Sequence, residues 1–138
     1  MKRNLFSFIC GLFLIGTNVS AQEILLPDQT FTIKVTEKNA SGKTESMPAD
    51  ELVLKANQIS AAFSIKNGFA ATPYSVTQQA APNSFMLDFT AQSSNAQKDI
   101  LKWTGTINGN SITGKAERIR NGKTAGEYSF TGLRKKKK

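Results

Sequence analysis

Apolar and polar residues alternate with a period of two along most of the chain, and no long stretch keeps the period of a helix. Phe31, Ile33 and Val35, for example, fall on one face of a strand, and polar residues lie between them. The same period recurs in segments that begin near positions 51, 59, 74, 85, 101, 112 and 127. Asn, Ser, Gly and Pro, which favour turns, separate these segments. The pattern predicts about eight short strands, and only residues 61–68 suit a helical turn.

Residues 101–117 give the most detailed prediction. A two-residue turn at Asn108-Gly109 or at Gly109-Asn110 joins two alternating segments, because these residues accept the positive φ of tight hairpins. Either register puts Trp103 and Ile112 on an apolar face and leaves threonines and charged residues on the other. This pattern is typical of a hairpin with one buried face.

An even number of short strands joined by hairpin-length turns favours an all-β, antiparallel up-and-down barrel, which leaves no exposed sheet edge. In such a barrel Gly105, Gly114 and Gly132 face inward and make room beside Trp103, Tyr128 and Phe130. A two-sheet β-sandwich is the alternative fold.

The first 21 residues have the order of a secretory signal peptide. Lys2 and Arg3 precede an apolar run of residues 5–15, and small residues end at Ala21. The run is shorter than the ~20 residues that span a bilayer. We therefore expect residues 1–21 to be removed, residues 22–133 to form one barrel domain, and residues 134–138 to be a basic tail.

The positive charge of the chain is unevenly distributed. Of its 18 Lys and Arg, two lie in the leader and five in the tail, so residues 22–133 hold 11 basic against 10 acidic residues. A near-neutral body argues against a nucleic-acid-binding domain. The tail is either a solvated end or a weak contact to an anionic surface such as lipid head groups.

The residue types that are missing limit the chemistry. The chain has no histidine, and its one cysteine, Cys10, lies in the leader. The mature protein therefore lacks the usual ligands of transition metals, the usual general base and a thiol nucleophile. The glycine pattern around Ser111 matches neither a phosphate-binding loop nor a hydrolase elbow. We predict a protein that is not an enzyme and that needs neither cofactor nor metal.

Four segments together carry a family resemblance: DELVLKANQIS (50–60), NGFAATPY (67–74), WTGTINGNSITG (103–114) and YSFTG (128–132). They resemble a group of small exported bacterial proteins without an assigned biochemistry. The resemblance implies a lipocalin-like (calycin-like) barrel. Lipocalins proper carry a Gly-x-Trp near their first strand, whereas the tryptophan of this chain is Trp103.

Several aromatic residues, Phe31 among them, share the inward face of their strands, and an eight-stranded barrel either fills with side chains or holds one small ligand. Arg118 continues the inward face of its strand. There it meets an anionic head group at a cavity mouth, or it is solvated beside Arg120. The candidate ligand-binding residues are Trp103, Tyr128, Phe130, Phe85, Phe89 and Arg118.

The sequence thus predicts an exported bacterial protein, periplasmic or secreted. A small apolar ligand inside the barrel is one expected partner. An envelope protein bound or inhibited through loops and the basic tail is the alternative. The oligomeric state stays open.

Overall fold

A computed structural model of the chain describes residues 25–78 and 86–136. The predicted leader, the predicted mature start at Gln22 and the candidate Phe85 lie outside the described residues. Nine strands and one helix, α1 (Ala62–Lys66), form the described part. The strands are β1 (Gln29–Asn39), β2 (Thr44–Ser46), β3 (Asp50–Lys55), β4 (Gln58–Ala61), β5 (Thr72–Gln78), β6 (Met86–Ser94), β7 (Ile100–Asn108), β8 (Ser111–Arg120) and β9 (Lys123–Arg134).

Eight of these strands close into an antiparallel barrel. From β3 to β9 each strand pairs with the next, β3 also pairs with β1, and β1 pairs with β9 over nine residue pairs. The predicted all-β up-and-down barrel is therefore confirmed, and the sandwich alternative is wrong. The ninth strand, β2, was not predicted. It lies beside the end of β1, and its three residues are all exposed, so no apolar residue marks it in the sequence.

The strands are staggered around the barrel. The stagger can be measured by going around the barrel from each residue to its pairing partner on the next strand. Gln29 of β1 leads through β3 and β4 to Thr72 of β5. The β5–β6 register, extended to Thr72, pairs this residue with Ser93 of β6, and the path continues through β7 and β8 to β9. This path returns to β1 at Asn39, ten residues beyond its start. Strand number and stagger together set the tilt of the strands and the width of a barrel, and eight strands leave room for side chains or one small ligand.

Two predicted local features are confirmed. The β7–β8 turn is Gly109-Asn110, since Asn108 pairs with Ser111, and Gly109 adopts a φ of +62° that strains a residue with a side chain. Helix α1 falls within the predicted residues 61–68, and Gly68, at a φ of +85°, follows its end.

A row of aromatic and glycine residues crosses the inner face of four strands. Phe89 pairs with Gly105, Gly105 with Gly114, and Gly114 with Phe130. A Cβ on Gly105 would approach the Phe89 ring to 2.5 Å, and one on Gly114 would approach the Phe130 ring to 2.9 Å. The glycines do make room for aromatics, but Trp103 and Tyr128, which we expected beside them, are not the rings that cover them.

The two ends of the barrel differ. Helix α1, the β6–β7 loop and the β8–β9 turn lie at one end, called here the closed end. The start of β1, the β3–β4 and β7–β8 turns and residues 135–136 lie at the other, called the open end. The buried core runs through the barrel between them and consists of apolar side chains from α1, from Phe69 in the loop after it, and from each barrel strand except β5.

Candidate functional site

The candidate aromatic residues within the described part of the chain are all buried. Trp103 is 1 % exposed, and Phe89, Tyr128 and Phe130 are 2–3 % exposed. Their rings pack against protein: the centroid of Phe63 in α1 lies 5.3 Å from Trp103 and 4.6 Å from Tyr128. The Phe130 centroid lies 6.0 Å from Trp103. Phe63, Trp103, Tyr128 and Phe130 thus form a continuous aromatic cluster at α1. Three of these rings are candidate residues, whereas Phe63 was not predicted.

Helix α1 covers this cluster because its first turn is held from outside. The Asp50 carboxylate accepts hydrogen bonds from the backbone N–H groups of Ala62 (3.0 Å) and Phe63 (2.9 Å), which no residue within the helix can satisfy. The Ser64 hydroxyl accepts from the N–H of Ala61 at 3.1 Å. Asp50 thereby fixes the helix over the barrel and directs Phe63 onto the two large rings.

Arg118 keeps its predicted inward position, and its partly buried guanidinium is paired with protein groups rather than free at a cavity mouth. Its Nε and Nη2 donate to Asp99 Oδ2 at 3.0 and 2.8 Å. Its Nη1 donates to Asn67 Oδ1 at 3.2 Å. Arg120 donates to both oxygens of the same carboxylate, at 2.9 and 2.8 Å. We call Asp99, Arg118, Arg120 and Asn67 the polar clamp.

The polar clamp ties α1 to the sheet at the closed end. The Asn67 side-chain amide donates to the Phe63 carbonyl at 2.7 Å and to the Tyr128 hydroxyl at 3.3 Å. Asn95, in the β6–β7 loop, accepts from the N–H of Asp99 and donates to the Asn67 carbonyl. Burial, and secondarily the negative charge of Glu37, raises the pKa of Tyr128, so its hydroxyl stays protonated at neutral pH.

Asp99, like Asn67, is a member of the clamp that residue patterns did not single out. It is 1 % exposed and carries a charge, so without partners its burial would be costly. The hydrogen bonds from Arg120, and to a lesser degree those from Arg118, outweigh this burial and hold the pKa of Asp99 far below its ordinary value of 3.8. The sequence held one indication that Asp99 and Arg118 meet: Asp99 directly precedes β7, and the predicted hairpin pairs β7 with β8, the strand that holds Arg118.

Replacing Asp99 by asparagine is expected to destabilise the fold and to change its dependence on pH. The folded pKa lies below the unfolded one, so this carboxylate stabilises the fold fully above about pH 4 and loses that effect as the pH falls further. We expect Asp99→Asn to lower the melting temperature at pH 7 by roughly 10 °C, and the difference from the wild type to shrink below pH 4.

Thermal unfolding between pH 2.5 and 7, followed by circular dichroism, measures both effects. Glu45→Gln is the matched control, because Glu45 forms an exposed pair with Lys43 at 3.4 Å, and it is expected to change the melting temperature by less than about 3 °C. A difference between Asp99→Asn and the wild type that stays constant down to pH 2.5 would contradict the assignment.

At the open end β5 and β6 extend beyond β3 and β4. Only two residue pairs join β4 to β5, whereas five join β5 to β6. On this overhang the inward-facing Tyr74, Val76 and Leu87 are only partly buried, and Leu26 packs against the same core. We call Leu26, Tyr74, Val76 and Leu87 the mouth. It is an apolar surface that continues the core to the solvent.

The mouth contains one polar group without a partner. The Tyr74 hydroxyl is buried, and among the described residues it has no hydrogen-bond partner. Burial, with a smaller effect of Asp28, raises the pKa of Tyr74, so the hydroxyl remains a donor at neutral pH. Buried hydroxyls without a partner are uncommon, and each calls for a physical reason such as an absent ligand group.

A further groove lies elsewhere, on the outside of the barrel. It measures about 860 Å³ and crosses the outer faces of β1 and β6–β9. Its outward side chains are threonines, Ser129, Lys34, Lys115 and Asp88, with Gly105 and Gly114 in its floor. Asp88 accepts a hydrogen bond from the Thr106 hydroxyl at 2.8 Å. Most of the accessible surface of this groove is nonetheless carbon, and the groove is open to solvent on the outer face of the sheet.

No helix within residues 25–78 and 86–136 has the length and hydropathy needed to cross a bilayer. Over the same residues, no group of three or more acidic, cysteine or histidine side chains is arranged to hold a metal ion. No protein-family model matches the chain, and no curated protein or solved structure matches it significantly. The closed antiparallel barrel is consistent with the lipocalin-like fold that the sequence resemblance implies.

Proposed function

We propose that this chain is an exported, non-enzymatic bacterial protein that binds one small apolar ligand through the mouth at the open end of its barrel. The observation that carries the proposal is the partial exposure of Tyr74, Val76 and Leu87, which face the barrel interior on the overhanging strands. Ligand sites are typically apolar with few polar groups. The mouth is an apolar surface that joins the buried core directly.

The unpartnered Tyr74 hydroxyl narrows the chemistry of the ligand. A bound molecule that presents a hydroxyl or carbonyl oxygen at this depth would satisfy it, and a pure hydrocarbon would not. We therefore expect an elongated apolar molecule with one polar oxygen. The aromatic cluster under α1, which includes Trp103, Tyr128 and Phe130, serves in this proposal as the packed floor of the site.

Titration with the hydrocarbon probe diphenylhexatriene tests the site, because its fluorescence rises on apolar binding and it accepts energy from Trp103, the single tryptophan. A lysine in place of Val76 puts a charge in the mouth and is expected to weaken probe binding at least tenfold. Thr77→Lys adds the same charge to the exposed outer face of the same strand and should leave binding within twofold.

Displacement of the probe by dodecanol separates the apolar and polar parts of the site. Tyr74→Phe is expected to lower the affinity for dodecanol about fivefold, because it removes one net hydrogen bond, and to leave the affinity for the probe unchanged. The protein is purified from cells that express the full-length gene. A measured mass that matches a chain starting at Gln22 would support the proposed export. Absent or unsaturable probe binding, or equal losses in Val76→Lys and Thr77→Lys, would overturn the proposed site.

A further inference from the structure

Basic side chains line one side of the open end of the barrel, where β3 and β9 flank β1. Lys55 ends β3, Arg134 ends β9, and Lys135 and Lys136 follow it, all of them exposed. We call these four residues the cationic rim. A groove of about 730 Å³ lies among them and is also lined by Pro27, Asp28 and Val53. Positive charge is thus concentrated at the end of the barrel that also holds the apolar mouth.

The cationic rim is fixed to the barrel. Arg134 Nη2 donates to Asn110 Oδ1 at 2.6 Å and to the Gly109 carbonyl at 3.1 Å. The backbone N–H of Lys135 donates to the Thr30 carbonyl at 2.7 Å. The Lys135 bond continues the β1–β9 pairing past the end of β9, and the Arg134 bonds tie the same segment to the β7–β8 turn, so the first two residues of the predicted tail lie against the barrel.

Part of the rim is left without a negative partner. Lys135 Nζ lies 2.7 Å from Glu51 Oε2. Within the described part of the chain, neither Lys55 nor Lys136 has a carboxylate oxygen within 4.0 Å. Two lysine ammonium groups are therefore available to an anionic surface that approaches this end.

Exposed leucines accompany these charges. Leu133, beside Arg134, is 63 % exposed, and Leu25, just before β1, is 64 % exposed. Both lie at the open end, where β1 begins and β9 ends. A single exposed leucine is ordinary. Exposed leucines and unpaired lysines at the same end of a protein, however, are the combination that interfacial proteins use to enter the boundary between head groups and hydrocarbon.

We infer that the open end docks on the surface of a bilayer rich in anionic lipid. The lysines of the rim contact the head groups, and Leu25 and Leu133 reach the acyl boundary. The inference rests on the proposed function, because docking in this orientation places the mouth against the lipid, from which an elongated apolar ligand with a polar end would enter. Attraction between a juxtamembrane basic cluster and anionic lipid falls off within a Debye length, so the binding depends on salt.

Co-sedimentation with vesicles of phosphatidylglycerol and phosphatidylcholine, compared with vesicles of phosphatidylcholine alone, measures the docking. The protein is the one purified from cells that express the full-length gene, and mass spectrometry determines its N-terminus. We expect binding to the anionic vesicles alone, with a strong loss between 0.05 and 0.5 M salt. Replacing Lys55 and Lys136 together by glutamine is expected to weaken binding about 30-fold, since each basic residue near such a surface contributes a factor of about five.

Lys34→Gln with Lys115→Gln is the matched control. It removes the same charge from exposed mid-strand positions on the outer groove, away from the rim, and is expected to change the affinity less than threefold. For the apolar part, Leu25→Ser with Leu133→Ser should weaken binding at least tenfold. Ile65→Ser, which alters an equally exposed side chain at the closed end, should not.

Equal losses in the rim variant and the mid-strand control would mean that net charge alone drives binding, and would overturn the inference. Absent vesicle binding, or equal binding to a DNA duplex, would overturn it as well. Probe binding in lipid-free buffer is measured on the same variants. Docking that fails while probe binding persists refutes the membrane inference alone, whereas lost probe binding with intact docking refutes the proposed ligand site.

Discussion

Replacing Phe63 by alanine is expected to lower the free energy of unfolding by about 4 kcal/mol, or the melting temperature by roughly 15–20 °C. Phe63 is 3 % exposed and touches both Trp103 and Tyr128, so its removal leaves a cavity under a helix of five residues. Such a short helix depends on its packing, because isolated helices of this length are unstable in water.

Chemical denaturation gives the energy, and the fluorescence of Trp103 reports the position of the damage. Water that enters the cavity should shift the Trp103 emission to longer wavelength and make it accessible to acrylamide. Ile65→Ala is the matched control on the same helix, because Ile65 is 58 % exposed, and it should cost less than about 1 kcal/mol. If both variants behave alike, α1 does not seal the closed end.

Replacing Gly132 by alanine is expected to lower the free energy of unfolding by about 3 kcal/mol or more. A Cβ at this position would collide with the Thr32 carbonyl oxygen and would lie 2.8 Å from the Ile33 Cα, both of which belong to the backbone of β1. Backbone atoms within a paired strand have little freedom to retreat, so the methyl group should force β9 away from β1.

Gly126→Ala is the matched control for this prediction. Gly126 lies on the same strand and also faces β1, but a Cβ there would meet only the Lys38 carbonyl, at 3.7 Å, an ordinary contact. We expect Gly126→Ala to change stability by less than about 1 kcal/mol. Chemical denaturation compares the two, and hydrogen exchange of β1 amides detects an opened seam. Similar stabilities for the two variants would contradict the proposed backbone collision.

The hairpin of β7 and β8, the helical turn and the overall barrel were predictable because each depends on short-range patterns. Alternation fixes which side chains face inward, and a positive φ at Gly109 requires a residue that accepts it. Once the inward faces are known, an even number of strands with short turns favours a closed barrel, and the β1–β9 pairing in the structure decides against the sandwich. Neither prediction requires knowledge of which residues meet across the barrel.

The polar clamp was not predictable from such patterns, because its members are far apart in the sequence. Arg118 lies 19 residues from Asp99 and 51 from Asn67. The same holds for Asp50, which holds a helix that starts 12 residues later. The rings that cover Gly105 and Gly114 likewise depend on the register between strands, which alternation within one strand leaves undetermined.

The difference between the two ends of the barrel depends on strand lengths that the sequence defines poorly. Alternation predicted inward aromatic residues without indicating that those near α1 would be covered. The overhang of β5 beyond β4 leaves Val76 partly exposed, although it shares an inward row with Phe89. For this reason the proposed ligand site lies at the mouth, at the open end, and not at the aromatic residues that the sequence predicted.

The seam between β1 and β9 has a consequence for how the chain folds. These strands are the first and last of the barrel, so the contacts that close it join residues about one hundred positions apart, such as Phe31 and Arg134. Closure over such a distance raises the contact order, and all-β domains of this kind fold on the order of milliseconds to seconds. Until β9 arrives, β1 and β8 expose unpaired edges that favour aggregation. A circular permutant that joins β9 to β1 at the open end, and places its new termini between the exposed Ala70 and Ala71, after α1 and Phe69, would turn this closure into a local hairpin. The permutant would fold to the same barrel, but the contact that closes it would join residues close together in the sequence.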